Sequence, residues 1–400
     1  MKICLLADRI PPEGLGGAEN IAWSEALALR ARGHEVMVIT TTAHSDVEKK
    51  NVDDVVVVYV PVQYHVRWQA WRGVYNPPAI KLLKNILREY GPDAVHAHNV
   101  HTFLSYYALR VAKKNGARVT ITCHDVMPFN YGKLMNTTPG DYRVSVWRQL
   151  REQTLRYNPF RNFFIRHILN RVDHLIVVSN ALKEALAQNG IRNAVVVYNG
   201  IEAKQWEVSP EKILDFKKEY GVGQSAVLYV GRLSEAKGGV NLLRALQGIV
   251  ARAPHVQLVV VGNRDAHTDV LLRMAQEHHL EEKLIFTGVL KGEELRAAYH
   301  SAQVVAVPSL CFDSFPTVIL EAMACQRAVV ASTFGGGVES VHEGVTGYVV
   351  NPHNVHILGE RLADLLRDED TSRRFGKAGY ERVIIEFSLK KHIDTIERLL

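Results

Sequence analysis

The sequence predicts an α/β protein built from two doubly wound, Rossmann-like domains that face each other across a cleft. Short apolar runs alternate with helix-length segments along all 400 residues, which is the pattern of parallel βαβ units. The pattern occurs twice, separated near residue 205 by the connector "IEAKQWEVSPEK". The halves also differ in charge, because residues 1–200 carry a net +9 and residues 201–400 a net −3. These features predict two domains with different partners.

The elements follow in order. The first half begins with the strand "KICLLA", a glycine turn "GLGGAEN" and a helix from about Ile21 to Ala31. Six more strands are predicted in this half: "HEVMVIT", "VVVVYVP", "AVHAHN", "RVTITCHD", "HLIVVSN" and "AVVVYNG". The second half predicts six strands: "SAVLYVGRL", "VQLVVVGN", "KLIFTGVL", "QVVAVPS", "RAVVAS" and "GYVVNP". Parallel sheets of this kind bind ligands at the carboxyl ends of their strands.

The composition indicates a cytoplasmic globular protein. Apolar residues make up 47% of the chain, and no run of about 18 apolar residues predicts a transmembrane helix. The opening "MKICLLADRIPP" is interrupted by Asp8 and Arg9, so no signal peptide is expected. The four cysteines are scattered, which is typical of reduced thiols.

Two turns carry groups suited to an anion. Gly14, Gly16 and Gly17 lie between a strand and a helix, where a ligand can approach the backbone and the free N–H groups of the helix. An ordinary glycine turn explains this segment equally well. In "GRLSEAKGG", Arg232 and Lys237 follow a strand and are five residues apart, so both can reach one diphosphate. Solvated surface cations are the alternative there.

The segment "DSFPTVILEAMA" has two acids eight residues apart. Pro316 suits the start of a helix, and the apolar residues after it follow helical spacing. Asp313 therefore lies at the mouth of the helix and Glu321 within it, with room for phosphate charge near the first turn.

Taken together, several segments resemble glycosyltransferase family 4, the retaining sugar transferases of the GT-B fold. They are "GGAEN", "GHEVMVIT", "TCHD", "YNGI", "GRLSEAKGG", "PSLCFDSFPTVILEAMA" and "GGGVESVHEGVTGYVVNP", and the resemblance covers nearly the whole chain. It implies an acceptor-side domain at residues 1–205 and a donor-binding domain at 206–387, with 388–400 returning to the first domain. Because catalytic groups then come from both domains, donor binding is expected to close the enzyme.

The resemblance also implies roles for individual residues. Asp313 would contact hydroxyls of the donor sugar, Glu321 the ribose, and Arg232 with Lys237 the diphosphate. His124 would lie near the reacting centre. The other donor-binding positions are Gly16, Gly17, Ser314, Phe315, Pro316, Thr317 and Val318, and the acceptor-side positions are His98, Asn99 and Asp125.

The implied activity is retaining, metal-independent transfer of a hexose from a UDP- or GDP-linked sugar. The acceptor would be a hydroxyl of a glycan, a lipid-linked glycan or a small molecule, in cell-surface polysaccharide or glycolipid synthesis. No cofactor besides the donor substrate is expected. Asp313 and Pro316 replace the glutamate and glycine usual in the family, which bears on the identity of the donor. An epimerase of the same fold and a catalytically silent sugar-nucleotide-binding protein remain alternatives, whereas the dinucleotide fingerprint of a dehydrogenase is missing.

Two further patterns concern metals. In "HAHNVH", strand alternation places His96 and His98 on one face, with His101 beyond them, but the sequence shows no further ligand. The acids Asp368 to Asp370 resemble a D-x-D motif but lie in a polar helix junction. No metal site is predicted.

A basic segment with interleaved aromatic residues predicts peripheral contact with an anionic membrane. Residues 143–171 contain seven arginines and one acid, Glu152. The aromatic residues among them, Trp147, Phe160, Phe163 and Phe164, are of the kind found in interfacial segments. Because Pro159 interrupts the run, a solvated or acceptor-lining surface is the alternative. No nucleic-acid partner is expected.

Overall fold

The computed structural model describes residues 1–14, 16–135, 140–153, 157–264 and 266–400. The chain divides into two compact units. Unit 1 contains Met1–Leu134, Gly140–Asn199 and Lys391–Leu400, and unit 2 is formed mainly by Gly200–Lys390. The last ten residues therefore belong to the same unit as residues 1–134 and 140–199.

Unit 1 contains a sheet whose strands are parallel except at one edge. Its order is β3-β4-β2-β1-β5-β6-β7-β8, with β3 antiparallel to β4. The strands are β1 Lys2–Ala7, β2 Glu35–Thr42, β3 Glu48–Val52, β4 Val55–Pro61, β5 Ala94–His98, β6 Arg118–Cys123, β7 His174–Val177 and β8 Ala194–Val196. All seven predicted strands are present, and β3 was not predicted.

Unit 2 contains a six-stranded parallel sheet with the order β11-β10-β9-β12-β13-β14. The strands are β9 Ala226–Val230, β10 Gln257–Val261, β11 Leu284–Gly288, β12 Val304–Val307, β13 Ala328–Ser332 and β14 Gly347–Val350. Each of the six predicted strands is found. Two α/β units with mainly parallel sheets confirm the predicted fold class.

Helices connect the strands. They are α1 Gly17–Ala31, α2 Gln69–Arg72, α3 Pro77–Tyr90, α4 Tyr107–Lys114, α5 Val146–Gln153, α6 Arg161–Leu169, α7 Asn180–Gln188, α8 Pro210–Tyr220, α9 Gly239–Arg252, α10 Ala266–Glu277, α11 Gly292–Ser301, α12 Thr317–Ala324, α13 Gly337–Ser340, α14 Val355–Arg367, α15 Glu369–Glu386 and α16 Leu389–Leu399. Short 3-10 helices occur at Val66–Trp68, Ala203–Trp206, Glu235–Lys237 and Glu281–Lys283. Across the described ranges, no helix combines the length and apolar character needed to cross a bilayer.

The ends of two helices show how local sequence sets the fold. Helix α1 begins at Gly17, earlier than the predicted Ile21, because Gly16 is its N-cap. In α15, the Asp368 carboxylate accepts the N–H of Thr371 at 2.9 Å. Asp368 is therefore a helix cap, in agreement with the polar junction read from the sequence.

Each sheet has one point at which the strand order reverses direction. In unit 1 this point lies between β1 and β5, and in unit 2 between β9 and β12. Ligands of doubly wound sheets bind beyond the carboxyl ends of the strands at this point. The predicted glycine turn follows β1, and the segments with Arg232 and Asp313 follow β9 and β12. In each sheet, the topology thus brings the turns after the two central strands to the edge where ligands bind.

Candidate active site

Within unit 2, the turn after β9 and the loop after β12 are fastened to each other. The backbone N–H groups of Leu310 and Cys311 both donate to the carbonyl of Ala236, at 3.0 Å. Gly238 has a φ of +79°, and a Cβ there would lie 1.9 Å from the carbonyl oxygen of Pro308. Only glycine satisfies both conditions, so this position fixes how closely the two turns approach.

This close approach brings three of the predicted residues together. The Lys237 ammonium donates to Asp313 Oδ2 at 2.5 Å, and the Ser309 hydroxyl donates to the same oxygen at 3.0 Å. Burial alone would lower the pKa of Lys237, but the neighbouring Asp313 carboxylate outweighs this effect and the pKa is raised. Arg232 is exposed and lies in the same turn, where the Tyr229 hydroxyl donates to the Arg232 carbonyl at 2.7 Å and to the Lys237 carbonyl at 3.4 Å. The cluster contains two cations and one carboxylate.

The backbone of Asp313 is held by the glycine run that follows β13. The N–H of Gly336 donates to the Asp313 carbonyl at 2.8 Å. A Cβ at Gly335 would lie 2.1 Å from the same carbonyl oxygen, and a Cβ at Gly336 would lie 2.1 Å from that of Ser314. The glycines allow the two loops to pack backbone against backbone.

Glu321 occupies a different environment in α12. The buried Tyr299 hydroxyl donates to Glu321 Oε2 at 2.6 Å. Burial raises the pKa of Glu321, and hydrogen bonds from Tyr299 and Thr317 oppose that effect. The tyrosine comes from α11, and no sequence pattern connects α11 with α12. Its hydroxyl fixes the carboxylate at one oxygen.

The remaining predicted donor positions run from the loop after β12 into the first turn of α12: Ser314, Phe315, Pro316, Thr317 and Val318. The first three are buried. The Phe315 ring packs edge-on against Phe387, with ring centroids 5.4 Å apart. Phe315 is therefore a core side chain. What this segment can offer an anion is the set of N–H groups in the first turn of the helix.

In unit 1, the side chain of Glu19 lies close against the glycine turn. A Cβ at Gly16 would lie 2.2 Å from Glu19 Oε2, and a Cβ at Gly14 would lie 2.8 Å from Glu19 Cγ. Gly16 is exposed and Gly17 half-buried. A carboxylate this near repels phosphate and accepts hydrogen bonds from hydroxyls, so the turn suits a sugar hydroxyl better than a diphosphate.

Three predicted residues meet at the ends of β5 and β6. The backbone N–H of His124 donates to Asn99 Oδ1, and Asn99 Nδ2 donates to Asp125 Oδ2, both at 3.0 Å. Asn99 has a φ of +45°, which is uncommon for a residue other than glycine. Burial holds the pKa of His124 well below its ordinary value, so the ring is neutral, and its Nδ1 has no hydrogen-bond partner among the described residues. That nitrogen is also buried, and the other ring nitrogen contacts His98.

His98 lies deeper than the other acceptor-side residues. It is 3% exposed, its Nδ1 is 3.0 Å from His124 Nε2, and its Nε2 is 3.6 Å from Glu25 Oε1. Burial lowers the pKa of His98 to about 4. Its ring can therefore orient His124 but has no side open to an acceptor.

Asp8 is a residue of this edge that the sequence interpretation missed. Its carboxylate accepts the backbone N–H groups of Thr102, Phe103 and Leu104 at 2.6 to 2.9 Å. These bonds fix the loop that continues from Asn99. Asp8 follows β1 directly at the switch point, and that position was the available signal.

Comparisons with known proteins agree with this architecture. A model described as Glycosyltransferase Family 4 matches residues 15–205, and one described as Glycosyl transferases group 1 matches residues 211–382. An uncharacterized glycosyltransferase from Methanocaldococcus jannaschii is 29% identical over 363 residues, covering 88% of this chain and 86% of the relative.

Solved structures share the fold over the full length. Sucrose-phosphate synthase from Thermosynechococcus elongatus gives a TM-score of 0.77 at 22% identity, covering 100% of this chain and 98% of that one. The Anabaena protein HepE, in complex with UDP-glucose, gives 0.75 at 22% identity with the same coverage. Because the two family models together span most of the chain in order, the chain belongs to glycosyltransferase family 4 and has the GT-B fold.

Proposed function

We propose that this glycosyltransferase moves a hexose from a UDP- or GDP-linked sugar to a hydroxyl of a glycan, lipid-linked or small-molecule acceptor, with retention of the anomeric configuration. The process would be cell-surface polysaccharide or glycolipid synthesis. The observation that carries the proposal is the cluster of Arg232, Lys237 and Asp313 beyond β9 and β12. Two cations suit a diphosphate, and the adjoining carboxylate suits sugar hydroxyls.

The chemistry follows from the leaving group. As the bond to the anomeric carbon breaks, negative charge develops on the nucleoside diphosphate, and Arg232 and Lys237 stabilise it. Asp313 accepts a hydrogen bond from a hydroxyl of the donor sugar and holds the Lys237 ammonium in position. Glu321 accepts a hydrogen bond from a hydroxyl of the ribose. The departing phosphate helps to deprotonate the acceptor hydroxyl on the same face of the sugar, so positioning and charge stabilisation supply the catalysis.

Unit 1 would contribute the acceptor side. His124 is the group proposed to lie near the reacting carbon, and the hydrogen-bonded chain through Asn99 to Asp125 holds its backbone. The glycine turn at Gly16 and Gly17 would accommodate the acceptor, because the neighbouring Glu19 favours hydroxyls. His98 acts as a positioning residue for the His124 ring.

A donor screen followed by product analysis tests the function. UDP-glucose is the first donor to try, because HepE, which shares the fold, was solved with it. Donors are ranked by protection against thermal unfolding, and transfer to acceptors is followed by NMR of the new linkage. We expect a product with the anomeric configuration of the donor. A changed sugar formed without acceptor would indicate an epimerase, and binding without turnover a silent protein.

We expect the diphosphate site to work without a divalent metal, because Arg232 and Lys237 would supply the positive charge that a metal ion otherwise provides. A short incubation with EDTA should leave the transfer rate within about twofold of the untreated enzyme. The matched control is the same assay with added magnesium or manganese. Complete loss of transfer in chelator, restored by either ion, would contradict this expectation.

The surface of α5 and α6 bears on membrane attachment. Trp147 is 82% exposed and Phe160 is 62% exposed, with Phe163 and Phe164 also at the surface. One correction applies to the arginines counted in this segment. Arg161 is buried, donates to the Met127 carbonyl at 2.5 Å and so adds no surface charge. Arg156 lies outside the described residues.

We propose that this surface attaches weakly to anionic membranes. The double variant Phe163→Ser/Phe164→Ser should lower binding to phosphatidylglycerol vesicles by about tenfold, because two interfacial side chains are lost. Co-sedimentation at low and at physiological salt measures the effect, and Leu214→Ser, an exposed apolar position in unit 2, is the control. If wild-type protein stays in the supernatant even at low salt, the aromatic surface serves a water-soluble acceptor instead.

A further inference from the structure

A buried carboxylate in unit 1 has no part in the chemistry proposed above. Glu25 of α1 is fully buried and belongs to the same stripe of the helix as its buried apolar residues. Three histidines lie against it: His96 and His98 from β5 and His392 from α16. The sequence placed His96 and His98 on one face of the strand, and the structure adds the acid and the third histidine. A buried charge is costly unless its neighbours compensate it.

The Glu25 carboxylate is charged and faces imidazole nitrogens with both oxygens. Burial alone would raise the pKa of Glu25, but the adjacent His96 and His98 outweigh this effect and hold the pKa well below its ordinary value. Oε1 is hydrogen-bonded to His96 Nδ1 and lies 3.6 Å from His98 Nε2. Oε2 lies 3.4 Å from His392 Nε2. His98 Nε2 has no hydrogen-bond partner among the described residues, so the nearby carboxylate dominates its surroundings.

His98 joins this carboxylate to His124, the histidine proposed to lie near the reacting carbon. His98 Nδ1 lies 3.0 Å from His124 Nε2. The two ring planes are 22° apart, and the ring centroids are 5.3 Å apart. At this separation of the nitrogens, the centroid distance means that the rings meet edge to edge and nearly in line, which is the geometry of a hydrogen bond. Both rings are neutral, because burial lowers the pKa of each.

Two neutral imidazoles share one hydrogen in such a bond, so only two arrangements are possible. In the first, His98 donates from Nδ1, and its Nε2 presents a lone pair to Glu25 Oε1. In the second, His124 donates from Nε2, and His98 carries its own hydrogen on Nε2, facing the carboxylate. The first arrangement sets a lone pair against a negative charge in a buried site of low dielectric. The charge of Glu25 therefore selects the second arrangement.

We propose that Glu25 is a positioning residue for sugar transfer and that it sets the tautomer of His124 through His98. This inference rests on the role proposed for His124 in the transfer reaction. The His124 ring then carries its hydrogen on Nε2, and a flip of the ring would break the bond to His98. A carboxylate that fixes the tautomer and orientation of a histidine in this way strongly affects the rate when that histidine acts on a substrate.

NMR of wild-type protein containing ¹⁵N-labelled histidine tests the tautomer directly, because nitrogens with and without a hydrogen have well-separated shifts. We expect His98 and His124 both to carry their hydrogens on Nε2. The variants His98→Gln and His124→Gln assign the signals. A hydrogen on Nδ1 of either ring would overturn the proposal. This readout does not require the enzyme to be active.

The variant Glu25→Gln removes the charge and keeps the shape. The amide oxygen can still accept from His96 Nδ1, and the amide nitrogen can donate to His392 Nε2, because His392 Nδ1 donates to the Tyr198 carbonyl at 2.8 Å. We expect transfer per folded molecule to fall by about 10- to 100-fold, with the affinity for UDP unchanged. His124 with its hydrogen on Nδ1 should appear in the NMR spectrum.

Two further variants separate positioning from a general loss of stability. Glu89→Gln changes an exposed acid of α3 in the same unit and should leave transfer and the histidine signals unchanged. If Glu25 acts through His98, Glu25→Gln should lower transfer little further in a His98→Gln background. Absence of transfer by the wild type would count against the proposed function, while the NMR result would still decide the tautomer. Wild-type transfer by folded Glu25→Gln, or fully additive losses in the double variant, would overturn the positioning role.

Discussion

Replacing Lys237 with alanine is expected to lower the rate of sugar transfer by about 100- to 1,000-fold, the effect of losing one preorganised donor to developing negative charge. The substitution also leaves the Asp313 carboxylate without its 2.5 Å partner, next to the place where the diphosphate would bind. Affinity for UDP should therefore fall as well. Single-turnover transfer and calorimetric titration with UDP measure the two effects separately.

Two further variants test whether the effect is specific to Lys237 and its pairing with Asp313. Lys218→Ala removes an exposed lysine of α8 in the same unit and should leave both quantities unchanged. Lys237→Ala/Asp313→Asn removes the repelling carboxylate and should recover part of the affinity for UDP lost in the single variant. If Lys237→Ala transfers sugar at the wild-type rate, the diphosphate is bound by other groups.

Replacing Asp313 with asparagine should reduce transfer by roughly 30- to 1,000-fold, equivalent to about 2–4 kcal/mol of transition-state stabilisation. The amide replaces a charge-assisted contact to the sugar with a neutral one, and it loosens the position of Lys237. Affinity for free UDP should stay the same or increase, because Lys237 no longer has a competing anion. Transfer and titration are measured as for Lys237.

Comparison with Glu321→Gln separates the two acids. The glutamine should mainly weaken UDP binding, because its proposed partner is the ribose and Tyr299 remains in place. Asp313→Glu restores the residue usual in the family and should retain substantial activity. Wild-type transfer by Asp313→Asn would mean that this acid only holds the loop after β12, and the assignment to the donor sugar would be wrong.

The fold could be predicted where burial leaves a pattern in the sequence. Thirteen predicted strands are present because strands buried on both faces are nearly continuous apolar runs. Strand β3, "EKKNV", was missed because it is a partly exposed antiparallel edge strand with few apolar residues. This polarity keeps an edge strand from pairing with other chains, and it also removes the apolar pattern by which strands are predicted.

The residues of the candidate site could be predicted from the sequence better than the contacts between them. Arg232, Lys237 and Asp313 lie in turns that follow strands, and Glu321 lies within a helix, so their positions could be read from motifs. The Lys237–Asp313 ion pair joins residues 76 positions apart, and no local pattern reports such a contact. Glu25 did leave a signal, because it lies in the buried stripe of α1 with Ile21, Ala22, Ala26 and Leu29. An acid on an apolar helix face indicates a buried partner.

A crystal structure of the chain with UDP, grown with EDTA present, tests the central claim most directly. The donor-site assignment predicts that the diphosphate lies within hydrogen-bonding distance of Arg232 and Lys237 and that the ribose contacts Glu321, with no metal ion between protein and phosphate. A nucleotide bound away from the ends of β9 and β12, or one that binds only through a divalent ion, would contradict it.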